Sequence, residues 1–209
     1  MKKTKVKILE AALKCFNDQG VVNVRLQHIA DEAFISVGNL AYHYPNKEAI
    51  VLALYQRISD AQKALLAEYR IVPLFDNIDR LIRQSVALQK EHIFFYLDTL
   101  EMLRAYPDVK AAHQTFIQFQ IQQWEAILSF NISRGALNPP LHGLDLGMIA
   151  RQLWSLVAFW RYQNAVLADS QGNEEDFVDA FWCLLKPHFS EIGFREYGQM
   201  RQNPYDLFY

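Results

Sequence analysis

The chain has 209 residues, 51% of them hydrophobic and 13% aromatic, with a formal net charge of −2. It can therefore bury a substantial core, which excludes a disordered chain, and its overall charge by itself demands no polyanionic partner. No apolar run reaches the roughly 18 residues of a membrane span, and the opening MKKTKVKILE lacks the apolar segment of a secretory signal, so a cytoplasmic protein with no membrane partner is expected. Cys15 and Cys183 match no metal spacing or disulfide framework and are expected as buried thiols in a reducing compartment.

Helical spacing dominates the chain, and no convincing alternating run of β-branched residues bounded by tight-turn signals is present. Residues 4 to 18 put Leu9, Ala12, Leu13 and Phe16 on one face, and Gly20 suits the left-handed end of that helix. A second, short helix over about 24 to 33 turns Leu26, Ile29, Ala30 and Ala33 inward, with Asn23 as its expected cap. The third occupies ISVGNLAYHYPNKEAI: Ser36 caps it, Gly38 sits in its first turn, and Pro45 prevents it from running beyond Tyr44. A fourth begins at Asn46 and continues through Ile50, Leu54, Ile58, Ala61 and Leu65 to about Tyr69. Pro73 interrupts the pattern near an expected domain boundary, and helices follow at about 76 to 90, 92 to 105, 107 to 131, 145 to 168 and 174 to 191. The residues after Arg195, rich in aromatics, are expected to form an irregular packed tail. The expected fold is all-α with about nine helices.

Helices two and three, joined by EAFIS, form a helix-turn-helix with helices one and four supplying the supporting apolar surface. In such a unit the second helix enters the DNA major groove, and glycine at 38 gives the backbone clearance there. Leu40 should face inward, leaving Ser36, Val37, Asn39, Ala41, Tyr42 and His43 outside. Asn39 has the geometry to pair with adenine, Val37 and Ala41 to touch a thymine methyl, and Tyr42, His43 and Lys47 to donate to phosphates. Tyr44 is assigned mostly to packing. The charge distribution agrees: residues 1 to 70 carry ten Lys and Arg against seven Asp and Glu, residues 71 to 209 eleven against sixteen. An ordinary short helix in an all-α protein is the competing reading of the same periodicity.

The stretch ILEAALKCFNDQGVVNVRLQHIADEAFISVGNLAYHYPNKEAIV resembles the N-terminal DNA-binding domain of TetR-type transcriptional regulators. The resemblance rests on Ile8, Ala11, Ala12, Phe16, Gly20, Ile29, Ala30, Ser36, Gly38, Leu40, His43, Tyr44, Lys47 and Glu48, over about 45 residues without a gap. It implies a helix-turn-helix domain over 1 to 50, a connecting helix at about 46 to 70, and a helical ligand-binding and dimerisation domain over 71 to 209. Where the family usually places a phosphate-contacting Thr or Ser, this chain has Val24 and Arg25, and Arg25 is expected to reach the phosphate instead. A basic residue is common at the place of Val37 and Tyr at that of Ala41, so the base-reading face is less charged than usual.

The C-terminal part shows no His-Glu-x-x-His, glycine-rich phosphate loop or Gly-x-Ser-x-Gly. His92, His113, His142 and His188 are scattered singly, and no catalytic residue, metal ligand or cofactor is expected. The helix LDLGMIARQLWSLVAFWRYQNAVLA is apolar nearly all round, and Phe177, Phe181, Leu184 and Leu185 stripe the next helix. The family resemblance implies that these two helices pair with their copies in a homodimer, with Leu153, Leu156, Trp160, Phe177, Phe181, Leu184 and Leu185 at the interface. It also implies a cavity for a small organic effector near Phe95, Thr99, Met102, Phe116, Gln120, Trp124, Trp154 and Tyr162. The expected function is that of a homodimeric, ligand-responsive regulator, most simply a repressor of a near-palindromic double-stranded DNA operator. The rivals are a helical adaptor dimer that no longer binds DNA and an all-α enzyme, for which no converging acid, base or metal groups are visible.

Overall fold

A computed structural model describes residues 2 to 140, 145 to 167 and 174 to 202. Among them the chain forms eleven α-helices and one 3-10 turn, with no strand: α1 (Lys2–Gln19), α2 (Leu26–Glu32), α3 (Val37–His43), α4 (Lys47–Tyr69), α5 (Phe75–Glu91), α6 (Ile93–Leu97), α7 (Thr99–Ala105), α8 (Pro107–Ser133), α9 (Leu146–Leu167), α10 (Glu174–Leu185), the 3-10 turn Lys186–His188, and α11 (Glu191–Gln202). The all-α class is as the periodicity requires. The count exceeds nine because the stretch 92 to 105 breaks into two helices and the residues after 190 form another.

Packing divides the described chain into two compact units that are not continuous in sequence. One comprises residues 1 to 62 with 88 to 116, the other 63 to 87 with 117 to 209. The break near Pro73 separates α4 from α5 but does not divide the units, since residues 63 to 87 fall in one of them, and α6 and α7 beyond it belong to the other.

The first unit is built around α1. Ile8, Leu9, Ala11, Ala12, Cys15 and Phe16 are buried along one stripe, and Ile29 and Ala30 of α2, Leu40 of α3 and Ile50, Val51, Leu54 and Ile58 of α4 close over it. Gly20 ends α1 in the left-handed region at φ 75°, as a residue without Cβ allows, and its N–H donates to Phe16 O at 2.9 Å. Arg25, not Asn23, is the cap residue of α2; Asn23 Nδ2 instead donates to Gln19 O at 2.8 Å. The Ser36 and Asn46 caps form as the sequence predicts, Oγ accepting Asn39 N–H at 3.1 Å and Oδ1 accepting Ala49 N–H at 2.8 Å.

Asp98 explains the break between α6 and α7, in a stretch with no glycine or proline. Its carboxylate accepts the Val21 N–H at 3.2 Å, so the residue is held out of helical geometry to finish the turn after α1. Asn17 fastens the same region from the other side, with Nδ2 donating to Glu91 O at 2.8 Å and Oδ1 accepting Phe94 N–H at 3.2 Å. Deeper in this unit the Tyr55 hydroxyl lies 3.1 Å from His113 Nδ1, with the Phe95 ring against both, and Gln62 Nε2 donates to the Tyr96 hydroxyl at 2.6 Å.

Burial holds the His113 imidazole well below its ordinary value, down to about 4. The fold therefore favours the neutral ring, and this contribution is fully present above the unfolded value of about 6.5 and is lost as pH falls toward 4. Thermal melts from pH 7.5 to 4.5 should show wild-type stability falling through this window more steeply than that of His113→Gln. Parallel curves would contradict this assignment.

The second unit packs α5, α8, α9 and α10 around Phe75, Trp124, Leu153, Phe177, Phe181 and Trp182. Trp182 Nε1 donates to the buried carboxylate of Asp79 at 2.7 Å, and Arg83 bonds Asp79 on the same helix and Glu175 at the start of α10. Fully buried Asn131 ties α8 to the turn before α5: Nδ2 donates to Pro73 O at 2.9 Å and Ile127 O at 2.8 Å, while Oδ1 accepts Arg134 Nε–H at 2.8 Å. The helix expected over 174 to 191 ends at Leu185, ahead of Pro187. The residues after it are no irregular tail as far as Gln202: α11 is a regular helix anchored by Glu196, whose carboxylate accepts from Arg134 Nη1 and Nη2 and from the Phe75 N–H. The final seven residues lie outside the described ones. Cys15 is buried, its thiol against His28 O at 3.9 Å, whereas Cys183 is exposed, contrary to the expectation.

Candidate nucleic-acid interface

The short third helix stands on one apolar foot. Leu40 is 0% exposed, and the Ser36 cap and the Tyr44 N–H bond to Leu40 O close its two ends. With Leu40 pinned, the 100° step of the helix carries Asn39, Ala41 and Tyr42 outward; Tyr42 is 74% exposed and Asn39 and Ala41 are exposed as well. The Asn39 side chain is thus held on a helix whose register is set from both ends.

The flanking residues are more embedded than periodicity suggests. Val37 is half-buried and packs against the core, so only part of it is available outside. His43 is half-buried, its ring edge-on to Tyr42 at 5.1 Å between centroids. Lys47 is half-buried too, spends one donor on Val22 O at 3.3 Å, and has its pKa lowered by burial. A lysine has three donors, so two remain. Tyr44 is half-buried, with Lys5 Nζ 5.9 Å from its ring centroid, in keeping with a packing role.

Val24 and Arg25 divide the labour of the turn into α2. Val24 is 1% exposed and belongs to the core, whereas Arg25 is exposed at the start of α2, its N–H donating to His28 Nδ1 at 3.3 Å. Sequence reasoning passed over Phe34. It occupies the left-handed region at φ 51° and is 85% exposed in the turn before α3, with Lys7 Nζ 5.4 Å from its ring. A bulky residue rarely takes that conformation, and no local pattern announces it.

The residues expected around an effector do not converge within either unit. Phe95, Thr99, Met102 and Phe116 belong to the first, Gln120, Trp124, Trp154 and Tyr162 to the second. Phe95, Met102 and Phe116 are buried, and the Thr99 hydroxyl is turned back onto Phe95 O. Trp154 Nε1 donates to Gln120 Oε1 at 3.2 Å, Trp124 packs on Phe181 in the core, and Tyr162 is largely exposed. A shallow, open hollow at the start of α11 is lined by Gly135, Asn138, Phe189, Ser190 and Ile192, none of them among the expected residues.

The residues expected at a subunit interface split as well. Leu153, Phe177, Phe181 and Leu185 are in the protomer's own core, because α9 and α10 turn these faces toward α5 and α8; Leu156 and Trp160 are half-buried, and Leu184 is exposed. The large apolar side chains left outside are Met148, Phe159, Tyr162, Val166 and Leu167 on α9 with Leu184 on α10. His92 is buried with Nδ1 against Leu88 O at 3.1 Å, and His142 lies outside the described residues. Among the described residues no cluster of three or more His, Cys, Asp or Glu side chains has metal-site geometry, and no helix is long and apolar enough to cross a membrane.

The helix-turn-helix and the helices that follow it in sequence have counterparts among known proteins. Residues 8 to 54 match the model of bacterial regulatory proteins of the TetR family, and residues 49 to 197 match a TetR-type bacterial transcriptional repressor model. The chain belongs to the TetR family of bacterial transcriptional regulators. It is 30% identical over 135 residues to the HTH-type transcriptional regulator RutR of Escherichia coli K12, a match spanning 63% of each chain. In three dimensions it resembles a TetR-family transcriptional regulator from Marinobacter aquaeolei VT8, with a TM-score of 0.81 at 20% identity over 95% of this chain and 97% of that one. SmeT, the repressor of the Stenotrophomonas maltophilia multidrug efflux pump SmeDEF, aligns with a TM-score of 0.69 at 19% identity over 90% and 91%.

Proposed function

We propose that the chain is a homodimeric, effector-responsive repressor that binds a near-palindromic double-stranded DNA operator in the cytoplasm and carries out no catalysis. The observation that carries this is α3: a capped two-turn helix, anchored by one fully buried leucine, that offers an amide, a phenol and a small side chain to solvent. Asn39 reads an adenine edge, Tyr42 and His43 border the groove, and Arg25 and Lys47 take phosphates. Ser36, Val37 and Ala41 supply close apolar or small contacts. Two-fold symmetry sets two such helices one helical turn or a multiple apart, with the exposed apolar side chains of α9 and α10 meeting their copies. An effector bound in the body favours the dimer geometry that no longer fits the operator, so its differential affinity for two states does the switching.

Fluorescence anisotropy with the chain's own upstream DNA and a random duplex, at several salt concentrations, tests the DNA reading. Lys47→Gln should weaken binding to both duplexes alike and reduce the salt slope by about 1, whereas Asn39→Ala should cost about 1 to 3 kcal/mol on the specific duplex only. Absence of binding to either duplex would leave a helical adaptor dimer as the better reading, and a monomer in sedimentation at micromolar concentration would remove the paired helices.

A further inference from the structure

Arg161 is out of place in α9. Its neighbours Ala158, Phe159 and Trp160 are apolar, yet the guanidinium is carried inward and the residue is only 9% exposed. Among the described residues it makes a single hydrogen bond, Nη2 donating to the backbone oxygen of Val86 on α5 at 3.0 Å. The Nε–H is buried without an acceptor, and so is the amide nitrogen of Asn164, three residues further along the same helix.

Of the acids near the start of α10, Glu174 attracts the Arg161 charge without forming an ion pair with it. Glu175 is taken by Arg83 and Arg201, and Glu174 lies 3.9 Å from Arg83. Among the described residues no carboxylate forms an ion pair with Arg161. A guanidinium has five donors, accepts nothing and keeps its proton, so burying it without a counter-charge is strongly unfavourable unless something else supplies one. A water molecule would satisfy a donor but leave the charge unbalanced. The adjoining core is apolar: Val86, Leu153, Phe177 and Val178 are buried, and the Trp160 ring packs on Phe177 at 5.4 Å.

On the reading of the chain as an effector-responsive regulator, we infer that Arg161 and Asn164 are the polar end of the effector site and that the effector is a small organic acid. Its carboxylate accepts from Arg161 Nε–H and from the Asn164 amide, and its apolar body lies against the side chains of α5 and α9. A buried Arg fork selects a planar oxyanion over a neutral carbonyl, because only the anion balances the charge.

The test is a thermal-shift and anisotropy series on the full chain with benzoate, hexanoate and decanoate, each against its neutral amide, and with sodium sulfate as the inorganic control. At least one acid should raise the melting temperature by several degrees and weaken binding to the upstream DNA at least tenfold, with its amide inactive. Arg161→Met, which removes a buried charge among apolar neighbours, should fold and bind that acid at least tenfold more weakly. Asn164→Leu should weaken it severalfold while keeping the preference for acid over amide, which holds the test open if the first variant is unstable. The inference fails if no acid of the series binds, if the amides or sulfate act as well as the acids, or if Arg161→Met binds the acid unchanged. Wild-type chain that binds the acid but no DNA would overturn the regulator reading instead, and leave the acid site standing.

Discussion

Replacing Gly193 with alanine is expected to destabilise the second unit by about 3 kcal/mol, the upper range for forcing extra atoms into a packed interior. A Cβ built there would stand 2.2 Å from the backbone oxygen of Ala136, a group that cannot rotate aside as a side-chain tip would. The first turn of α11 would have to withdraw, opening the Ser190 N–H bond to Ala136 O at 3.1 Å and loosening the hold of Glu196 on Arg134 and Phe75. Gly198, five residues along the same helix, is the control: an added Cβ meets nothing within 4 Å, so alanine there should gain about 0.5 to 1 kcal/mol. Urea unfolding should move the two midpoints in opposite directions. Equal midpoints would mean that α11 does not pack against Ala136.

Asn131→Leu is the second large loss, again about 3 kcal/mol, because a side chain of similar size would strand a buried carbonyl at Pro73 and the Arg134 Nε–H, each costing about 1 to 3 kcal/mol when unpaired. The substitution keeps the volume of a residue that is 0% exposed, so the effect isolates the hydrogen bonds. Asn131→Asp should not rescue it. A carboxylate would suit Arg134 but has no N–H to give to Pro73 O and Ile127 O. Urea midpoints for both variants near that of wild type would show that the turn before α5 holds without this residue.

Much of the DNA-facing half was legible because its signals are local. Gly20, the Ser36 and Asn46 caps, Pro45 and the Leu40 stripe each act within one or two turns of chain, so spacing alone reports them. Phe34 escaped because a left-handed φ on a bulky residue is imposed by the turn it closes and leaves no compositional trace. The stretch around Asp98 reads as one helix for a related reason. The residue that breaks it does so by bonding Val21, 77 residues away in sequence.

The body was harder to read. An apolar stripe tells which residues share a face and leaves open what covers that face, so Leu153, Phe177, Phe181 and Leu185 read equally well as core or as subunit interface. Packing assigns them to the core and leaves Phe159, Tyr162 and Leu184 outside. In the same way an arginine in an apolar helix reads as a surface residue until α5 is found beside it, with Val86 O accepting from its guanidinium.

By itself the sequence determined the all-helical class, the helix-turn-helix with its Ser36 cap and its exposed Asn39 and Tyr42, and the family, since periodicity, capping and glycine placement are short-range properties of a chain. Tertiary structure alone decided that residues 88 to 116 pack with the N-terminal helices, that α11 is a helix anchored through Glu196, and that Arg161 is buried with a donor to spare. Each of those depends on groups brought together from distant stretches of chain, where burial and hydrogen-bond partnership are settled by what lies across the interface.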